Sequence, residues 1–147
     1  MNATSTNPHK TDSVRFSPAQ ETILVVEDQP ALCEVAEILL SRCGYRVLTA
    51  HETSEAKEIV RHDPNIDLLL TEIEMPGMLG DELADWVHAN SPHAAVVFMS
   101  GNAGQQYSLA GHPVIEKPFV HLDTLVATVR EAIHPAGTAR QATPVAA

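Results

Sequence analysis

At 147 residues the chain has room for one domain and a tail or two. Its 44% hydrophobic and 19% charged residues are ordinary globular usage, enough to fill a single core, so disorder throughout is excluded. Nine Lys and Arg against 19 Asp and Glu give a net charge of -10 with no basic cluster, which argues against direct nucleic-acid binding.

Residues 1–20 are rich in Ser, Thr, Asn and Pro and lack the apolar run of a secretory signal; they are expected to be a disordered tail. No stretch approaches about 18 consecutive apolar residues, so neither a membrane span nor a membrane partner is expected, and a cytoplasmic location is. Thr22 to Val26 reads as a strand, and Leu32, Val35, Ala36, Leu39 and Leu40 then recur at helical spacing until Gly44. Cys33 and Cys43, about 15 Å apart along that helix and its end, are not expected to bridge. Tyr45 to Ala50 is a second strand, Ser54 to His62 a second helix stopped by Asp63-Pro64, and Ile66 to Thr71 a third strand. Met75-Pro76-Gly77 marks a turn before a helix from Asp81 to Asn90, in which Trp86 is expected to pack or be partly exposed. Ala94 to Met99 is a fourth strand and Val114 to Glu116 a brief fifth. A last helix carries Leu122, Leu125, Val126, Val129 and Ile133, and residues 135–147 are expected to be a second disordered tail. Unbroken apolar strands alternating with helices imply an α/β fold with a parallel sheet covered on both faces, here one domain over residues 21–134.

In such a sheet ligands bind beyond the carboxyl ends of the strands. Glu27-Asp28 follows strand one, Glu72 strand three with Glu74 two residues on, Ser100-Gly101 strand four and Lys117-Pro118 strand five. Carboxylates, a hydroxyl and an ammonium at one edge suit a hard divalent cation and an oxyanion. Magnesium takes oxygen ligands and keeps several waters, so a few carboxylates suffice, while Lys117 and Ser100 would hold a phosphoryl oxygen. The carboxylates would repel one another unless a cation or Lys117 intervened. The glycines at 101 and 104 are not followed by Gly-Lys-Ser/Thr, so they do not make a phosphate-binding P-loop. The eight histidines show no ligand spacing.

The segments VVED (Val25 to Asp28), DLLLTE-x-x-MPG (Asp67 to Gly77), MSG (Met99 to Gly101) and KPF (Lys117 to Phe119) resemble, in order and spacing, the receiver domains of bacterial two-component response regulators. The likeness covers nearly all of Glu21 to His134. It is nearer to receivers attached to hybrid sensor kinases, or standing alone, than to those joined to a DNA-binding domain. It implies a flavodoxin-like doubly wound five-stranded parallel sheet in the order 2-1-3-4-5. It also implies a magnesium site using Glu27, Asp28, the phosphoacceptor position Glu72 and the backbone carbonyl of Glu74. Ser100 and Lys117 would act on the phosphoryl group, with a cis peptide before Pro118. A histidine kinase or histidine phosphotransfer protein and a downstream protein target are the implied partners.

Two departures from that pattern are visible. The family's phosphoacceptor is Asp, and this chain has Glu72, one methylene (about 1.5 Å) longer. In-line transfer tolerates little displacement, so little or no phosphorylation is expected there and magnesium binding should be weak. Glu72 then either mimics the phosphorylated state in part or switches the site off. The alternative is a working phosphoacceptor that takes a phosphoryl group from a phosphohistidine with magnesium. The second departure is the short connection between Ser100 and Lys117, which leaves Asn102 to His112 room for at most a two-turn, shortened fourth helix. Val114, three residues before Lys117, stands where the family has an aromatic switch residue. With 13 residues after His134, no output domain is expected, and the chain reads as a signalling module rather than an enzyme.

Overall fold

The computed structural model describes residues 20–101, 108–119 and 122–135. The elements in chain order are β1 (Thr22–Val26), α1 (Pro30–Arg42), β2 (Arg46–Ala50), α2 (Thr53–His62), β3 (Leu68–Glu72), α3 (Gly80–Asn90), β4 (Ala95–Ser100), β5 (Ser108–Leu109), β6 (His112–Glu116) and α4 (Leu122–Ile133). Both expected tails lie outside the described residues, apart from Gln20 and Pro135 at their inner ends. No helix among the described residues is long and apolar enough to cross a membrane.

The sheet runs β2-β1-β3-β4-β6-β5. Its first five strands are all parallel, in the anticipated order, with β6 in the fifth place. Because side chains alternate across a strand, each strand feeds two cores. Leu24, Val26, Leu69, Val96, Phe98 and Val114 face one side and pack under α2 and α3, through Ala56, Val60, Leu83, Ala84 and Val87. Ile23, Val25, Leu68, Leu70, Val97, Met99 and Ile115 face the other and meet α1 and α4, through Cys33, Ala36, Leu40, Leu125 and Val129. Each fully buried aliphatic residue contributes about 1.5 to 3 kcal/mol. This two-faced burial explains why the strands read as continuous apolar runs rather than alternating ones.

Helix boundaries follow local chemistry. Pro30 opens α1 from an extended Gln29. Gly44, at φ +98°, turns the chain out of that helix after Cys43. The Glu82 carboxylate accepts the Leu79 N–H at 3.1 Å and so anchors the start of α3. Trp86 is partly buried against the core, with Lys57 and Arg61 of α2 each 5.4 Å from its ring centroid. Cys33 is buried, Cys43 is exposed, and both are free thiols.

The shortened fourth helix needs correction in its second half. Residues 102–107 lie outside the described residues, but 108–113 form an antiparallel hairpin, with Ser108 opposite Pro113 and Leu109 opposite His112. The final strand accordingly starts at His112 rather than Val114. The turn is a two-residue one in which Ala110 (φ +53°) and Gly111 (φ +85°) both take left-handed backbone, the geometry that matches the twist of a hairpin. Ala-Gly is a weak signal for such a turn, and that is why helical room rather than a hairpin was read from the residue count.

Ala110 occupies a conformation that costs an L-residue about 1 to 2 kcal/mol, partly offset in glycine by the greater entropy of its unfolded chain. Ala110→Gly is therefore expected to raise stability by about 0.5 to 1 kcal/mol, read as the midpoint of urea unfolding followed by circular dichroism.

Candidate functional site

The carboxyl ends of β1, β3, β4 and β6 bring together the polar groups read from the sequence. Glu27 directly follows β1 and extends its pairing, its N–H donating to the Ala50 carbonyl at 3.0 Å. Glu72 is the last residue of β3 and Ser100 the last of β4. Lys117 follows β6, and its N–H donates to the Ser100 carbonyl at 2.9 Å. Glu27, Glu72, Ser100 and Lys117 are all buried.

The centre of the site is an ammonium shared by two carboxylates. Lys117 Nζ donates to Glu27 Oε1 at 2.8 Å and is paired with Glu72 Oε1. The other oxygen of each carboxylate is held by a backbone N–H two residues further on. Gln29 donates to Glu27 Oε2 at 3.1 Å, and Glu74 donates to Glu72 Oε2 at 3.0 Å. Behind Glu27, His51 Nδ1 donates to its backbone carbonyl at 3.1 Å, which places the proton on that nitrogen. The Lys117–Pro118 peptide is cis, in line with the family pattern.

Burial pushes the Glu27 carboxyl above its ordinary pKa, and the Lys117 and Gln29 bonds only partly offset this. Lys117 is pushed the other way by its own burial, but the two carboxylates outweigh that and raise its pKa. The ammonium thus replaces the solvent that both carboxylates have lost.

Of the proposed metal ligands, Asp28 and Glu74 are exposed at the rim, apart from the buried pair. Glu27 and Glu72 already offer one oxygen to Lys117 and the other to a backbone N–H. Among the described residues no group of three or more His, Cys, Asp or Glu side chains is placed to hold a metal ion. This donor set does not fit a tightly held magnesium ion, which would have to compete with Lys117 for the same oxygens.

One contributor escaped the sequence reading. A Cβ built on Gly80, the first residue of α3, would lie 3.0 Å from Ile73 Cα and closer still to the carbonyl oxygen of Glu72. The Gly80 N–H donates to the Ile73 carbonyl at 2.6 Å. The start of α3 therefore presses directly on the backbone that carries Glu72, and only glycine permits it. The signal was present as the glycine three residues after the Met75-Pro76-Gly77 turn.

Removing Lys117 leaves two buried carboxylates uncompensated, at an expected cost of about 3 to 5 kcal/mol for Lys117→Met. The sign of the pH dependence follows from proton binding. In the parent chain the raised lysine pKa gives stability that is complete below the unfolded value, near 10.4, and is lost as pH rises through the folded value. In Lys117→Met the Glu27 carboxyl, already raised by burial, loses the bond that holds it down and binds its proton more tightly folded than unfolded, so the deficit should shrink between pH 7 and pH 5. Thermal unfolding of both proteins across pH checks this; a deficit that does not change with pH would show that packing, not charge, accounts for the loss.

A model of the response regulator receiver domain matches residues 23–130. The transcriptional regulatory protein NatR of Bacillus subtilis is 38% identical over 109 residues, covering 71% of this chain and 46% of NatR. The chain spans less than half the length of the curated relatives it matches. Among solved structures, the receiver domain of the hybrid histidine kinase CckA is 33% identical with a TM-score of 0.67, covering 77% of this chain and 99% of that one. The response regulator TrrA of Thermotoga maritima, solved in complex with Mg(2+)-BeF, is 28% identical with a TM-score of 0.67, covering 77% and 99%. With these matches, the fold and the ordered strand-end motifs, the chain belongs to the response regulator receiver domain family of two-component signalling.

Proposed function

We propose that this receiver works without a phosphorylation cycle, as a protein-binding module of a two-component phosphorelay. The observation that carries the reading is the pairing of Glu72 with the Lys117 ammonium. In the family pattern an aspartate accepts the phosphoryl group and the lysine holds one of its oxygens. Here Glu72 is itself paired with the lysine, which supports a reading in which a carboxylate oxygen stands in for a phosphoryl oxygen. A carboxylate carries about one negative charge against nearly two for a phosphoryl group, so the imitation is partial. Ser100, buried at the end of β4, is the hydroxyl that would answer to it.

The partners of such a module are a histidine kinase or histidine phosphotransfer protein upstream and a protein target downstream, met by protein contact rather than through nucleic acid. Magnesium would bind weakly, through Asp28 with Glu27, Glu72 and the Glu74 carbonyl, at the expense of the lysine contacts.

Intact-mass analysis after incubation with magnesium and a small acyl-phosphate donor tests the reading, with Glu72→Asp beside the parent chain. The expected result is a gain of one phosphoryl mass by the Asp variant alone, with tighter magnesium binding in that variant by isothermal titration. A parent chain that also gains the mass is a working phosphoacceptor, and the phosphorylation-independent reading fails.

A further inference from the structure

One exposed side chain is bonded to the backbone of the buried cluster. His51 lies at the junction between β2 and α2. Its ring Nδ1 donates to the Glu27 carbonyl at 3.1 Å, and its backbone N–H donates to Glu55 Oε1 at 2.9 Å.

The ladder between β1 and β2 accounts for the ring contact. It runs in steps of two residues, from the Arg46 N–H on the Glu21 carbonyl at 2.9 Å to the Glu27 N–H on the Ala50 carbonyl at 3.0 Å. In a parallel ladder the next rung brings an N–H from the continuation of β2 onto the Glu27 carbonyl. β2 ends at Ala50 and α2 begins at Thr53, so the chain has turned away, and the His51 ring makes that rung. The carbonyl is thereby satisfied by a side chain instead of a strand.

The consequence falls on the Glu27 side chain. With its N–H on Ala50 and its carbonyl on His51, Glu27 is held on both sides of its Cα, and this sets the direction in which the side chain leaves the backbone. The carboxylate it carries is wholly buried and meets Lys117 Nζ at 2.8 Å. A buried ion pair depends on such geometry, because neither partner can be resolvated if the contact lengthens. The Nδ1 hydrogen is present in the neutral ring and in the imidazolium alike, so the contact does not depend on titration of His51.

We infer that His51 is a positioning residue: through the Glu27 backbone it sets the reach of the Glu27 carboxylate to Lys117, and with it the placement of the ammonium that Glu72 shares. Its bearing on signalling rests on the function proposed above, whereas the contact itself does not.

The test follows the Lys117 ammonium resonance of the isotope-labelled protein by NMR, with His51→Leu and His51→Asn beside the parent chain. Asn places an amide N–H where Nδ1 stands, and Leu keeps bulk without a donor. His51 belongs to neither core, so both variants are expected to fold. In His51→Leu the ammonium resonance should shift and its hydrogen exchange should quicken about fivefold, the factor that loss of one hydrogen bond gives. His51→Asn should keep the parent shift and rate. In the Glu72→Asp background, His51→Leu should slow the gain of phosphoryl mass from a small acyl-phosphate donor about tenfold, and His51→Asn should restore it. An unchanged ammonium or an unslowed phosphoryl gain in His51→Leu overturns the inference. A change that His51→Asn fails to reverse overturns it too, since bulk and not the donor would then matter. If Glu72→Asp gains no phosphoryl mass at all, the proposed function fails, and the ammonium measurement still decides the role of His51.

Discussion

Three buried charges at the carboxyl edge of the sheet set the terms for everything around them. Two glutamates and one lysine come from three separate strand ends, and none could remain ionised there alone without a large desolvation cost. Held together, each answers another, and the backbone N–H groups of Gln29 and Glu74 satisfy the oxygens that the lysine leaves. The parallel sheet makes this possible because its strands all end on the same side. The pairing of β1 with β3 and of β4 with β6 then fixes the spacing at which the carboxylates meet the ammonium.

The same cluster is where the extra methylene of Glu72 bears on the proposed function. In the family pattern the ammonium holds an oxygen of the phosphoryl group. Here it is already committed to a carboxylate that is part of the chain. On the proposed reading this contact stands where a reversible covalent mark would otherwise act, and information would enter through binding partners. Gly80 tightens the arrangement, because the helix that follows β3 rests on the backbone of the residue that makes the contact.

Much of this was legible in the sequence because the relevant signals are local. Apolar runs such as TILVV and LLL can bury only in a sheet covered on both sides, and Gly44 and Asp63-Pro64 punctuate the helices where the structure ends them. Glu27, Glu72, Ser100 and Lys117 converge because strand ends in a doubly wound sheet converge, whatever their identity. Less legible were features that depend on distance between elements. The sharing of Lys117 by both glutamates, with Asp28 left at the rim, depends on side-chain reach across the sheet. The close approach of Gly80 depends on how α3 settles against β3. The hairpin at 108–113 was missed because Ala110 adopts a backbone conformation that its residue type disfavours, so no propensity argument would have chosen it.

That hairpin also changes what the sheet presents to other molecules. Without it β6 would close the sheet with a row of unpaired backbone groups, the kind of border that recruits strands from neighbouring chains. Folding β5 back along the start of β6 covers part of that border within the same chain, and at two residues β5 is too short to offer a replacement template. That part of the sheet border is thereby closed to strand addition by other chains.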